Sequence, residues 1–199
     1  MTSSPAATAI RYGRVVEASL DRFLAECFDS ENVPPLGTPL VLEDGAAIFA
    51  VVADIFSESR DTGRPIALHG APDDDLARVR ADNPHIPALL RTAFAGAIVG
   101  HRDGGALRQY LPSAPPPVQA RVRRATAAEC AELAESFDFV RLLLDGAPHA
   151  DDCIAALLRL LATSQPDGYR FLVGAGKALT VLLCDDPLRL HAMLRRLQP

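Results

Sequence analysis

The sequence predicts an α+β fold, a small N-terminal β-barrel followed by a C-terminal α-helical domain, and three observations predict it. Between residues 11 and 111, short runs rich in β-branched and aromatic residues alternate with Gly, Pro and Asp turn signals. At residues 112–117 the run PSAPPP places four prolines in six residues, which neither a helix nor a central strand accepts. From residue 118 onward apolar residues recur with helical spacing behind capping signals. The expected boundaries are 11–111 for the barrel and 118–199 for the helices.

Residues 12–19 (YGRVVEAS) read as a first strand. Residues 20–28 satisfy two patterns. Leu20, Phe23, Leu24, Cys27 and Phe28 fit a helical stripe behind Ser19, whereas Phe23 and Ala25 alternate as in a strand. Val33-Pro-Pro-Leu-Gly37 is a turn, and residues 38–43 (TPLVLE) form the next strand. Asp44-Gly45 is a hairpin dipeptide. It leads into residues 46–56 (AAIFAVVADIF), whose nearly continuous apolar run suits a buried barrel wall. Residues 57–75 read mostly as loop, and Asp73, Asp74 and Asp75 as the acidic first turn of a helix running into residues 76–81. A short helix over 84–92 begins at Pro84. Residues 94–102 are a strand, Asp103-Gly104-Gly105 a turn, and 106–111 its partner strand.

The proline run is expected to act as a stiff, extended connector, with no strand pairing across it. Beyond it, Thr126 and Glu129 have the spacing of a capping box, opening a helix to about Ser136. Residues 137–144 form a second helical piece ended by Asp145-Gly146. Ile154, Leu157, Leu158 and Leu161 share one face of a helix over 151–164. Helices over 168–184 and 187–197 complete the set, so residues 118–199 are expected to be essentially all helical.

The bulk composition narrows the function classes. Hydrophobic residues make up 49% of the 199 and charged residues 23%, a globular balance. The first ten residues are small and polar. The net charge of −5 lies wholly within residues 1–117, and residues 118–199 are neutral. Such a chain is not a generic nucleic-acid binder, and neither half is a polybasic membrane anchor. The longest apolar stretch, residues 46–53, is far short of the ~20 residues that span a bilayer. With no charged start followed by a long apolar run, the expected location is the cytoplasm. Cys27, Cys130, Cys153 and Cys184 include no C-x-x-C pair and read as buried free thiols.

Several motifs invite chemistry and fall short of it. Gly174-Ala-Gly-Lys177 resembles the end of a phosphate loop, but Phe171 stands where the first glycine is needed and Ala178 where Ser or Thr must hold magnesium. Its expected role is a helix whose small residues admit a close neighbour. No two of His69, His85, His101, His149 and His191 have the i, i+4 spacing of a helical zinc site. No G-x-S-x-G elbow is present. Arg121, Arg123 and Arg124 suit either phosphates or acidic neighbours. Arg195 and Arg196 complement a helix C-terminus. No catalytic, cofactor-binding or metal-binding residue is assigned.

Several segments together resemble the barrel shared by HerA-type DNA translocases and ATP synthase subunits, the HAS-barrel. The segments are Gly13-Arg-Val-Val-Glu-Ala18, Pro35-Leu-Gly37 followed by the strands over residues 40–43 and 46–55, and Asn83-Pro-His-Ile-Pro-Ala-Leu-Leu-Arg-Thr92 with residues 94–101. The last of these is similar to stand-alone bacterial proteins carrying this barrel. The resemblance covers roughly residues 11–111 and rests on packing and turn motifs. It favours a strand over residues 20–28. In the ATPase relatives a RecA-like motor follows the barrel. Here the remaining residues are too few for one, so motor activity is not implied. What the resemblance implies is an assembly or protein-interaction module, taking a protein partner, itself, or a HerA-type ATPase assembly. The alternative from a different class is a small hydrolase or nuclease whose site gathers His69, His101 and Asp73, Asp74 and Asp75 from loops.

Overall fold

A computed structural model describes residues 10–61 and 73–198. Six strands close into an antiparallel barrel: β1 (Arg11–Ala18), β2 (Arg22–Cys27), β3 (Pro39–Leu42), β4 (Ile48–Ser59), β5 (Leu90–Asp103) and β7 (Arg121–Arg124). Around the barrel the order is β1, β7, β3, β4, β5, β2, and the β2–β5 pairing, Arg22↔Ala97 through Glu26↔Ala93, closes it. A short strand β6 (Ala106–Arg108) hangs on β5 through the turn at Gly104 and Gly105, both with positive φ. Helices α1 (Leu76–Asp82) and α2 (Ile86–Leu89) lie between β4 and β5. Five helices follow β7: α3 (Ala127–Leu133), α4 (Phe139–Gly146), α5 (Ala150–Ala162), α6 (Gly168–Leu182) and α7 (Pro187–Leu197). The α+β class and the N-terminal barrel expected from the sequence are therefore present, and residues 22–27 are strand.

Two cores explain the strand patterns. Inside the barrel, Tyr12, Val15, Phe23, Leu40, Ile48 and Phe94 belong to one buried cluster. Phe94 meets Tyr12 and Phe23 edge-on at 6.4 and 6.3 Å. On the outer wall, Val41, Phe49, Val51 and Val99 join a second cluster with Phe139, Ile154, Leu157, Leu158 and Leu161 of the helices. β3 and the first half of β4 are buried on both faces, which is why their sequences run apolar without alternation. The α5 stripe read from the sequence supplies the helical side of this core.

One expectation is overturned at the proline run. A strand does cross it: β7 lies between β1 and β3, pairing Gly13↔Val122 on one side and Leu42↔Val122 on the other. Residues 118–199 thus begin with a barrel strand, and helix starts only at α3. The run is a strap over the barrel, with Pro112 and Pro116 buried. Gln119 adopts a left-handed φ of 70°, and Val15 N–H donates to Ala120 C=O while Gln119 N–H donates to Val15 C=O, seating the strap on β1. Val122 is the reason for the pairing. It fills the barrel interior between β1 and β3, a contact no local pattern encodes.

Smaller boundaries shift as well. The β3–β4 connection spans residues 43–47 rather than a two-residue turn, with Gly45 at φ 106°. β4 continues to Ser59 and β5 begins at Leu90, so the pair projects as a ribbon with Ser57↔Thr92 and Ser59↔Leu90. Part of the loop expected over 57–75 lies outside the described residues.

Candidate functional site

The groups singled out in the sequence do not converge. His101, near the end of β5, is held by Tyr110: its Nδ1 lies 3.1 Å from the Tyr110 carbonyl oxygen, and the rings meet edge-on at 5.1 Å. Asp75 is the N-cap of α1, accepting from Arg78 N–H at 2.7 Å, and Asp74 pairs with Arg78. The triplet therefore lies ahead of α1, with Asp75 as its N-cap, rather than forming the helix's acidic first turn. His69 lies outside the described residues. His149 holds the N-cap position of α5 in a left-handed conformation without a side-chain capping bond, and His191 is exposed on α7. Among the described residues, no three His, Cys, Asp or Glu side chains gather where a metal ion would be held.

Gly174 and Gly176 sit in the middle of α6, not in a loop ahead of a helix. A Cβ at Gly174 would stand 3.4 Å from Phe137, and one at Gly176 would stand 3.3 Å from Leu194. Both glycines admit close neighbours, and Lys177 points to solvent.

Two of the three arginines after the strap, Arg121 and Arg123, meet acids, while Arg124 is exposed. Arg121 contacts Asp44 at 2.9 Å, and Asp44 also accepts the Arg121 backbone N–H at 2.8 Å. Arg123 reaches Glu43 at 3.0 Å and Glu129 at 2.8 Å. Glu129 is also the second half of the capping box, accepting the Thr126 N–H at 2.8 Å. Burial alone raises its pKa. The Arg123 hydrogen bonds and those from Thr126 outweigh burial and bring it down to about 2. The cluster is therefore a lock between β7, the β3–β4 connection and α3, and it leaves no open anion cradle. A second lock joins Arg102 of β5 to Glu132 of α3 at 2.6 Å, with the guanidinium over the Phe49 ring at 5.4 Å.

The cysteines divide in a way the spacing did not reveal. Cys130 and Cys153 are buried, and burial pushes their thiols up to about 11 and about 12. Cys27 is half-buried, its thiol pushed up to about 11 by burial and by Asp29 and Glu26. Cys184 is exposed, contrary to the expectation of four buried thiols.

The surface carries a feature that residue chemistry did not flag. Tyr169 is 79% exposed, Val181 74% and Leu188 85%, all on α6 or the first turn of α7, with Val173 exposed between them. Beside α6 run two shallow grooves that share Phe137. One, of about 370 Å³, is lined by Ala134, Phe171 and Gly174, with Asp167 and Arg170 at its rim. The other, of about 430 Å³, is lined by Ala178, Val181 and Leu182, with Asp138 and Arg141. Phe137 and Phe171 stack obliquely at 5.2 Å between them. Gln165 borders the first groove, and its Nε2 is the one buried side-chain polar atom without a hydrogen-bond partner among the described residues. A signal for this face was present: α6 has only Arg170 and Lys177 as charged residues.

Two other concavities are more polar in character. A cleft of about 440 Å³ opens where Glu17, Ser19, Arg22 and Leu24 meet Pro148 of the helical layer. Another, of about 330 Å³, is walled by β6 and the acids Glu132, Glu135 and Asp138. Neither His101 nor the Asp73–Asp75 carboxylates line any of these four. No helix among the described residues is long and apolar enough to cross a membrane. No protein-family model and no curated protein matches the chain.

Proposed function

We propose that this chain is a non-catalytic assembly module of the HAS-barrel type, working in the cytoplasm through contact with protein. The observation that carries the reading is the apolar outer face of α6 and the start of α7, centred on Val173 and flanked by two grooves. Exposed apolar patches with polar rims mark protein contacts. The closed barrel supports that face. Among the described strands its ring is closed, leaving open edges only at β6 and along the projecting β4–β5 ribbon, and its outer wall is tied to the helices through a shared core and two arginine locks. A rigid support lowers the ordering cost of association. The resemblance to HAS-barrels adds the class of partner: a ring-like ATPase assembly of the HerA type, or another copy.

Native affinity purification tests the reading. A stoichiometric companion chain is expected with the wild type. Val173→Asp should remove it while the thermal melt stays within a few degrees. A protein that stays monomeric, carries no companion and turns over a phosphodiester or ester substrate overturns the reading.

A further inference from the structure

We infer that the outer face of α6 takes a second copy of this chain, the two α6 helices packing antiparallel about a two-fold axis between Val173 and Lys177. The inference rests on the assembly-module reading and names its partner.

The choice of side chains comes first. A surface helix ordinarily turns charged residues to water. The water-facing positions of α6 hold Tyr169, Val173, Thr180 and Val181 beside only two charged residues, Arg170 and Lys177. Aromatic and β-branched residues are weaker helix formers than Ala, Leu or Lys. At exposed positions, neither propensity nor burial in the monomer favours them. Burial against a partner does.

Symmetry then selects the partner. In a two-fold contact every interaction occurs twice, residue for residue. An antiparallel pair of helices brings together residues equidistant from the centre on the same flank. With about 3.6 residues per turn, residues three turns apart share a flank. Arg170 and Val181 are such a pair, both on the flank that borders the Phe137 grooves. Tyr169 and Thr180 are another, on the flank toward α7, where Thr180 Oγ1 donates to the Gly176 carbonyl and Gly176 faces Leu194. The two-fold therefore sets Arg170 of one copy into the Val181 groove of the other, and lays Tyr169 over Thr180.

The charges complement each other in this arrangement. One end of the face carries Asp167 and Arg170, and the other end carries Asp138 and Arg141. Antiparallel packing juxtaposes Arg170 with Asp138 and Asp167 with Arg141, each pair formed twice. Arg170 has no ion-pair partner among the described residues, and Asp138 is engaged by the neutral Ser136 hydroxyl at 2.7 Å. Arg141 is paired only loosely with Asp145, at 3.9 Å. Lys177 lies near the axis, where its stem covers Val173 of the other copy and its ammonium stays in water. A helix pair with two grooves is at the small end of specific interfaces, below roughly 1,200 Å², where association is weak and reversible.

Sedimentation equilibrium of the full-length protein tests this, over concentrations around the roughly micromolar Kd that such an interface gives. The mass is expected to rise from 21.2 kDa to twice that value. Arg170→Asp and Asp138→Arg should each weaken dimerisation by at least about tenfold. The double variant should restore it, because both swapped pairs re-form across the axis. Val181→Asp should abolish it, with thermal melts showing that each variant is folded. A protein that is monomeric throughout overturns the inference, as does a dimer that the folded variants leave unchanged or that the double swap fails to restore. If the monomeric protein still holds a different stoichiometric partner that Val173→Asp releases, self-association falls and the assembly-module reading survives. If neither partner appears, both fall.

Discussion

Arg123 and Glu129 are joined by two parallel hydrogen bonds, Nη1 to Oε2 and Nη2 to Oε1, each 2.8 Å long, at the step from the last barrel strand to the first helix of the C-terminal layer. Glu129 simultaneously caps α3, and Arg123 simultaneously binds Glu43 beside β3. One ion pair thus fixes the strand, its neighbour and the helix that follows. Two-pronged guanidinium–carboxylate contacts are the strong form of this interaction.

The depressed pKa of Glu129 makes the fold acid-sensitive in a defined direction. The folded value, about 2, lies below the usual 4.5, so the stabilisation is fully present above the usual value and is lost as pH falls toward 2. The size is at most about 3 kcal/mol. Glu129→Gln should lower stability at pH 7 by roughly 1–3 kcal/mol and flatten the loss between pH 5 and 2, on the order expected for this linkage. Urea melts across that range measure both effects.

The position of β7 makes the barrel dependent on the chain beyond the proline strap. A chain ending at residue 117 lacks β7 and leaves β1 and β3 as open edges. It is expected to aggregate, or to remain without sharp near-ultraviolet dichroism. A chain ending at residue 125 regains the strand but exposes Phe49, Val51 and Val99 to water. A soluble, cooperatively melting 1–117 fragment would show that β7 is dispensable.

Gly96 is fixed by close approach. A Cβ there would stand 2.3 Å from the Phe23 ring inside the barrel. Gly96→Ala should destabilise the protein by about 1–3 kcal/mol through overpacking. Adding Phe23→Leu should recover part of that loss, since the smaller side chain clears the site. Chemical denaturation of the two single variants and the double variant reads the coupling.

Nucleotide should not bind at Gly174–Lys177. The segment lies inside α6, where backbone N–H groups are committed to helix hydrogen bonds rather than presented to a phosphate. Titration with ATP or GTP and magnesium should release no heat. Saturable binding that disappears in Lys177→Ala would overturn this.

Thiol reagents should sort the cysteines by depth. Cys184 is expected to react quickly in the native protein and Cys27 slowly. Cys130 and Cys153 should react only on unfolding, because burial both shields the sulfur and disfavours the thiolate. Mass spectrometry after brief labelling assigns the sites.

What the sequence by itself determined is what short-range physics encodes. Thr126 and Glu129 form the capping box because their spacing suffices for reciprocal bonds. Asp75 starts α1, and the Ile154–Leu161 stripe buries a face of α5, because helix periodicity is written in consecutive residues. The helical placement of Gly174–Lys177 within α6 was equally legible. What only the tertiary structure decided depends on partners far along the chain. Residues 121–124 (RVRR) have one apolar side chain and follow a proline run, so they carry almost no strand signal of their own. They become a strand because β1 and β3 leave a gap of hydrogen-bonding groups that Val122 fills from the inside and Arg121 and Arg123 lock from the outside. The α6 face follows the same rule. Its apolar residues are visible in the sequence, but which of them face the core and which face water was settled only when Ala175 and Leu179 turned inward, leaving Tyr169, Val173 and Val181 outside.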